Sequence, residues 1–161
     1  MDLGDLFGTL ELSSLGAAMR YSLWLYPVVE IVHISGFVLL VGAVAMFDLR
    51  LLGFAPSTSV RALERSLLPW AWIALLLIVP SGVSMFSAHA TDFAANPAFR
   101  AKLVLLVSAA INALIFHNGV FRSVAAWDRH VPTPRAAKAS ALLSLVVWFG
   151  VIACGRLIAY L

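Results

Sequence analysis

Residues 28–37 read VVEIVHISGF, and this apolar stretch carries a carboxylate, Glu30, and an imidazole, His33. Spacing i, i+3 sets both on one face of a helix. An ionised carboxylate facing lipid costs roughly 2.5 kcal/mol or more. Glu30 therefore turns inward, takes up a proton or meets a cation. An imidazole in the same place can ligate a metal, carry a proton or register two helices. Cations stand in two other apolar runs: Lys102 opens one, and Arg156 falls near the end of another. His89 follows a third run in SMFSAHA, while Asn112 and His117 lie within INALIFH.

The elements that position these residues follow from composition. The 161-residue chain is 62% hydrophobic and 12% charged, with a mean hydropathy of +0.97. A soluble domain carries about a quarter charged residues. Four apolar runs, at about 26–47, 67–88, 101–121 and 139–161, are each long enough for a bilayer core of about 30 Å. The expectation is an all-α integral membrane protein, an antiparallel four-helix bundle forming a single membrane domain over 1–161. Small residues such as Gly36, Ala113 and Gly150 recur along the runs and mark close helix contacts.

The N-terminus is acidic before Arg20 and lacks the basic start of a secretory signal. Leu3, Phe7, Leu10 and Leu15 fall at helical spacing, so a short interfacial helix over about 3–18 is expected. Cys154, the lone cysteine, reads as a packing residue.

Basic residues set the expected orientation. Arg50, Arg61, Arg65, Arg122, Arg129, Arg135 and Lys138 fall on one side, and Arg20, Arg100, Lys102 and Arg156 on the other. The richer side is expected in the cytoplasm, with both termini periplasmic. The net charge of +3 serves topology and anionic lipid contact; no basic face with interleaved aromatics exists for nucleic acid.

On this plan the fourth span brings Arg156 back toward the depth of Glu30, and Lys102 lowers its stem to the same level. Glu30, His33, Lys102 and Arg156 then share the outer half, as a structural ion-pair cluster or as a cofactor or proton site. His89 approaches from the same side. His117 falls about 15 Å from His33 along the membrane normal. One haem iron needs its two ligand nitrogens about 4 Å apart, so that pair is disfavoured as axial ligands. A backbone carbonyl or Asn118 is the expected partner of His117, with a second site at the inner face as the alternative, and a neighbouring helix is the expected partner of Asn112. There is no HExxH or CxxC spacing, no Ser/His/Asp arrangement and no glycine-rich phosphate loop.

The segments WLYPVVEIVHISG, FDLRLLG, SGVSMFSAHA and NPAFRAKLVLLVSAAINALIFH make the chain resemble a bacterial family of four-span inner-membrane proteins of unknown function. That resemblance implies the bacterial inner membrane and no activity. The first-span histidine and the AKL lysine also look like copper-resistance-D-type and protoporphyrinogen-oxidase-J-type membrane proteins. In the oxidase family a first-span histidine and a third-span lysine are the functional pair and haem b is bound. The matching residues here are His33 and Lys102; Glu30 has no counterpart in that pattern.

The leading functional expectation is a b-type haem protein passing electrons between quinone and a periplasmic or membrane redox partner. His33 would be the axial metal ligand, with Lys102 or His89 opposite, Arg156 on a propionate and Glu30 tuning charge. One alternative is copper or small-solute handling through His33, His89 and Met85. The other is a structural subunit of a membrane complex, without cofactor. The expected partners are the bilayer, these redox molecules and further copies of the chain.

Overall fold

A computed structural model describes residues 3–161. Seven α-helices and one 3-10 helix follow in order: α1 (Leu3–Glu11), α2 (Ser14–Tyr21), α3 (Leu25–Leu52), α4 (Val60–Ala88), α5 (Ala90–Ala95), α6 (Pro97–Asn118), the 3-10 helix (Val120–Ala126) and α7 (Arg135–Leu157). Helices α3, α4, α6 and α7 are long and apolar enough to cross a membrane. At most 28% of the most apolar stretch of each is buried within the bundle. The remaining faces need lipid. The chain is a multi-pass membrane protein built on four antiparallel helices.

Local signals set the helix ends. Asn96 caps α6 by accepting the N–H groups of Ala98 and Phe99 at 2.9 and 3.1 Å, and Pro97 occupies the first turn, where its missing donor costs nothing. The third span therefore begins four residues before the expected 101 and ends at Asn118; residues up to 121, expected as span, turn into the 3-10 helix. Ser59 caps α4 through Ala62 N–H at 3.0 Å. Gly53, at φ 114°, ends α3 in the left-handed conformation that suits a residue without Cβ. The first span thus runs five residues past the expected 47, taking Asp48 and Arg50 into the helix.

The N-terminal segment forms two helices where one was expected. Ser13 interrupts it and caps α2 through Gly16 N–H at 3.1 Å. Of the apolar stripe, the Leu3 side chain lies outside the described residues. The Phe7 ring meets Phe86 edge-on, and Phe86 stacks on Phe93 and Phe99. Arg20 donates to the carbonyls of Ala88 and Glu11. This pair of helices is therefore fastened to the end of α4.

The four long helices meet in the order α4, α3, α7, α6. Gly36 lets α3 close on α4, since a Cβ there would lie 3.0 Å from Leu77 Cβ and from Ile78 Cγ1. Gly150 does the same for α7 against α6, with Leu105 Cδ1 at 3.0 Å from such an atom. No Cα of α4 comes within 8 Å of α6. The bundle is two tight hairpins joined through α3 and α7 and parted between α4 and α6 except where Phe86 stacks on Phe99. Helices α1 and α2 and the C-terminal end of α7 lie at one end, the terminal end; the 53–59 and 119–134 connections form the other, the loop end. A core of Leu51, Val60, Phe116, Val124, Trp127, Ala137 and Ala141 closes the loop end.

Candidate functional site

At the terminal end the expected cluster divides. His33 lies half-buried in the α3–α4 seam, its Nδ1 2.9 Å from Ser81 Oγ. The Ser81 hydroxyl donates to the Leu77 carbonyl at 2.5 Å, so Nδ1–H of His33 is the donor to Ser81 and Nε2 keeps its lone pair. A Cβ on Gly82 would stand 3.1 Å from His33 Cε1; the imidazole occupies room that only glycine leaves. Lys102, on α6, packs its half-buried stem toward α7, with Nζ 3.9 Å from where a Gly155 Cβ would be and close to Cys154. Lys102 and Glu30 are near enough for their charges to act on His33.

The other expected members stand apart. Arg156 is exposed; it donates to the Tyr160 hydroxyl at 2.5 Å, with its guanidinium carbon 4.8 Å from the ring centre. It turns along its own helix end instead of toward Glu30, which is also exposed. His89 sits at the α4–α5 junction with Nδ1 3.9 Å from Asp92. It lies about 10 Å along the axis beyond Gly82, by helical rise. No three His, Cys, Asp or Glu side chains gather as a metal site among the described residues.

The loop half holds a different arrangement. Between α4 and α6 the four long helices line an open-sided slot of about 520 Å³, the size of a small-molecule site. It extends along α3 from Phe37 to Leu51, about 21 Å at helical rise. Its walls are apolar, with Phe37, Phe47, Phe116 and Trp148 supplying rings. Polar groups line the half nearer the loop end: Asp48 on α3, Glu64 on α4, Asn112 and His117 on α6, Ser140 and Ser144 on α7. Asn112 Nδ2 donates to the Ser140 carbonyl at 3.0 Å, and Ser140 Oγ donates back to Asn112 Oδ1 at 2.9 Å. That reciprocal pair is the cross-helix bond expected for Asn112. The backbone partner of His117 is the Ala113 carbonyl, 2.9 Å from Nδ1.

Asp48 is the residue that sequence reasoning passed over. Only 5% of it is exposed, and Oδ2 is buried without a hydrogen-bond partner among the described residues. Ser144 on α7 faces the carboxyl. Buried carboxylate oxygens are nearly always paired. The signal was available: LRLL continues the apolar run past Asp48, and Gly53 is the stop.

The model of a family of unknown function, DUF6644, matches residues 7–161. The chain belongs to that family. No curated protein and no solved structure matches it. The match spans all four long helices, so the slot and Asp48 lie within the segment that defines this DUF6644 protein.

Proposed function

We propose that this DUF6644 protein binds a lipid-soluble small molecule in the slot between α4 and α6. The observation that carries the reading is the parting of those two helices along an apolar, ring-lined slot with polar groups in one half. Two membrane helices left to themselves close by small-residue packing. Here the Ala109, Ala110 and Ala113 side of α6 faces the slot and meets no partner helix across it. A molecule entering from the bilayer would complete that packing.

Native mass spectrometry of the detergent-solubilised protein with neutral 9-anthracenemethanol tests this. Retention of the probe by the parent protein, and its loss in Ala110→Trp, is the expected result. Equal retention by both proteins places the probe elsewhere and removes the reading.

A second reading keeps haem b at the terminal end, and one observation favours it. The Ser81 bond orients His33 in the tautomer whose Nε2 can bind iron, the arrangement expected of a ligating histidine. Lys102, whose Nζ has no hydrogen-bond acceptor among the described residues, would as a neutral amine be the second residue to hold the group, and quinone with a membrane or periplasmic redox partner would exchange the electrons. When bound, haem would supply one-electron chemistry; the chain's own part is to fix the imidazole. Absorption spectra of protein expressed with ample haem, oxidised and dithionite-reduced, decide it. A Soret band lost in His33→Ala supports the reading, and a flat trace rejects it. Copper handling loses support, because His33 and His89 do not converge. A cofactor-free structural subunit would tolerate both variants with assembly intact.

A further inference from the structure

The polar half of the slot says what kind of head group it would hold. Its charged lining is one-sided: Asp48 and Glu64 carry carboxyls, while no lysine or arginine lines it. The neighbouring Arg50 is turned away, its guanidinium spent on the carbonyls of Thr58, Pro56 and Asp128 in the loop knot. Asn112 and Ser140 satisfy one another. The group left over is the carboxyl of Asp48, which lines the slot with 95% of its residue buried, the Ser144 hydroxyl beside it and Oδ2 without a hydrogen-bond partner among the described residues. Phe47, Phe116 and Trp148 stand along the same walls, and the faces of aromatic rings attract cations.

We infer that the ligand is a lipophilic amine, bound as its ammonium with an N–H donated to Asp48 Oδ2 and its apolar body lying along the slot toward Phe37. This deepens the reading above and rests on it. An ammonium satisfies both deficits at once, because it neutralises the carboxylate and donates to the orphan oxygen. A neutral alcohol would supply only the donor. A carboxylic acid would bring a second negative charge beside Asp48 and Glu64.

Three probes on one ring system make the test: anthracene-9-methylamine, 9-anthracenemethanol and anthracene-9-carboxylate, titrated into the detergent-solubilised protein and read by native mass spectrometry. The expected order is amine above alcohol by about tenfold, with the acid weakest. Asp48→Asn removes the preference for the amine and leaves the alcohol within about threefold. Asp48→Glu keeps the preference, and Glu64→Gln weakens it less than Asp48→Asn does. Equal binding of amine and alcohol overturns the inference while the slot reading stands; binding of none of the three overturns both. A preference that survives in Asp48→Asn, or an acid that binds tightest, also overturns it. Should Asp48→Asn fail to fold, the comparison of the three probes on the parent protein still decides.

Discussion

Asp128 and Asp48 lie near the loop end of one bundle in opposite circumstances. Asp128 is fully used: its carboxylate accepts from Ser59 Oγ at 2.8 and 3.0 Å and from Arg61 N–H at 2.9 Å. Its main-chain carbonyl accepts from Val60 N–H and Arg50 Nη2. These bonds tie the 53–59 connection to residue 128 and so join the two hairpins. Asp48 lies deeper, on α3, and its Oδ2 has nothing. One carboxylate spends its lone pairs on the fold, whereas the other keeps one unused inside a slot. The contrast separates a device for stability from a site held at the expense of stability.

The largest effect expected from breaking this comparison is at Arg50. It is 3% exposed and donates to three carbonyls, two of them in the 53–59 connection and one across at Asp128. Arg50→Met keeps the packing stem and deletes every one of those charge-assisted bonds. A loss of about 3 kcal/mol is expected, read as lowered thermal stability in detergent, with the slot's ligand preference unchanged in protein that remains folded.

Asp48→Leu should act with the opposite sign. Replacing a buried, unpaired carboxyl by an apolar group of similar size removes a desolvation penalty of about 1–3 kcal/mol. The unliganded protein is expected to melt higher than the parent and to lose its preference for an amine. A lower melting point would place Asp48 among the residues that hold the fold together, alongside Asp128.

Asp128→Asn is the matching control. It keeps the shape and removes the charge from an N-terminal cap of α4, at a cost of about 1 kcal/mol. The Arg61 N–H, with smaller help from the Ser59 hydroxyl and the charges of Arg129 and Arg61, holds the Asp128 carboxyl below its ordinary value of 3.8, against an opposing effect of burial second in size to the Arg61 bond. The folded value is depressed, so the stabilisation is present above pH 3.8 and disappears as pH falls through the lower folded value. Melting curves recorded down to about pH 3 should steepen their decline at the acid end for the parent, and Asp128→Asn should lack that step.

How far the sequence reveals these regions depends on what each is made of. Span number and antiparallel order follow from apolar runs and short connections, since lipid leaves a helix few alternatives. Span ends were harder. Asp48 and Arg50 look like residues leaving a membrane, yet α3 carries both inward because its stop is Gly53 and because Arg50 finds three carbonyls across the loop end. Asn112 announced its bond, since a mid-span amide needs one. The partner did not follow for His33: whether it meets Ser81 or Lys102 depends on the rotation of α3 about its axis, which an i, i+3 spacing leaves free. The slot was invisible for a related reason. It arises because α4 and α6 stay apart, and no single helix encodes that distance.

The smallest expected effect concerns the His33–Ser81 bond, and it sharpens the contrast between the two halves of the bundle. Polar bonds between membrane helices are worth about 0.6 kcal/mol on average, because an unfolded chain in lipid finds other partners. Ser81→Ala should therefore cost no more than that in thermal stability, and His33→Ala about the same. If the bond only registers α3 against α4, the double variant is no less stable than either single one. If instead it sets the tautomer of a ligating imidazole, Ser81→Ala leaves stability nearly unchanged but frees Nδ1–H to seek another acceptor, and the Soret maximum of haem-loaded protein shifts while the slot's preference among probes does not. A change at the slot on breaking this bond would mean that the two halves are coupled through the α3–α4 seam, where Gly36 makes room for α4 and Gly82 for the His33 ring.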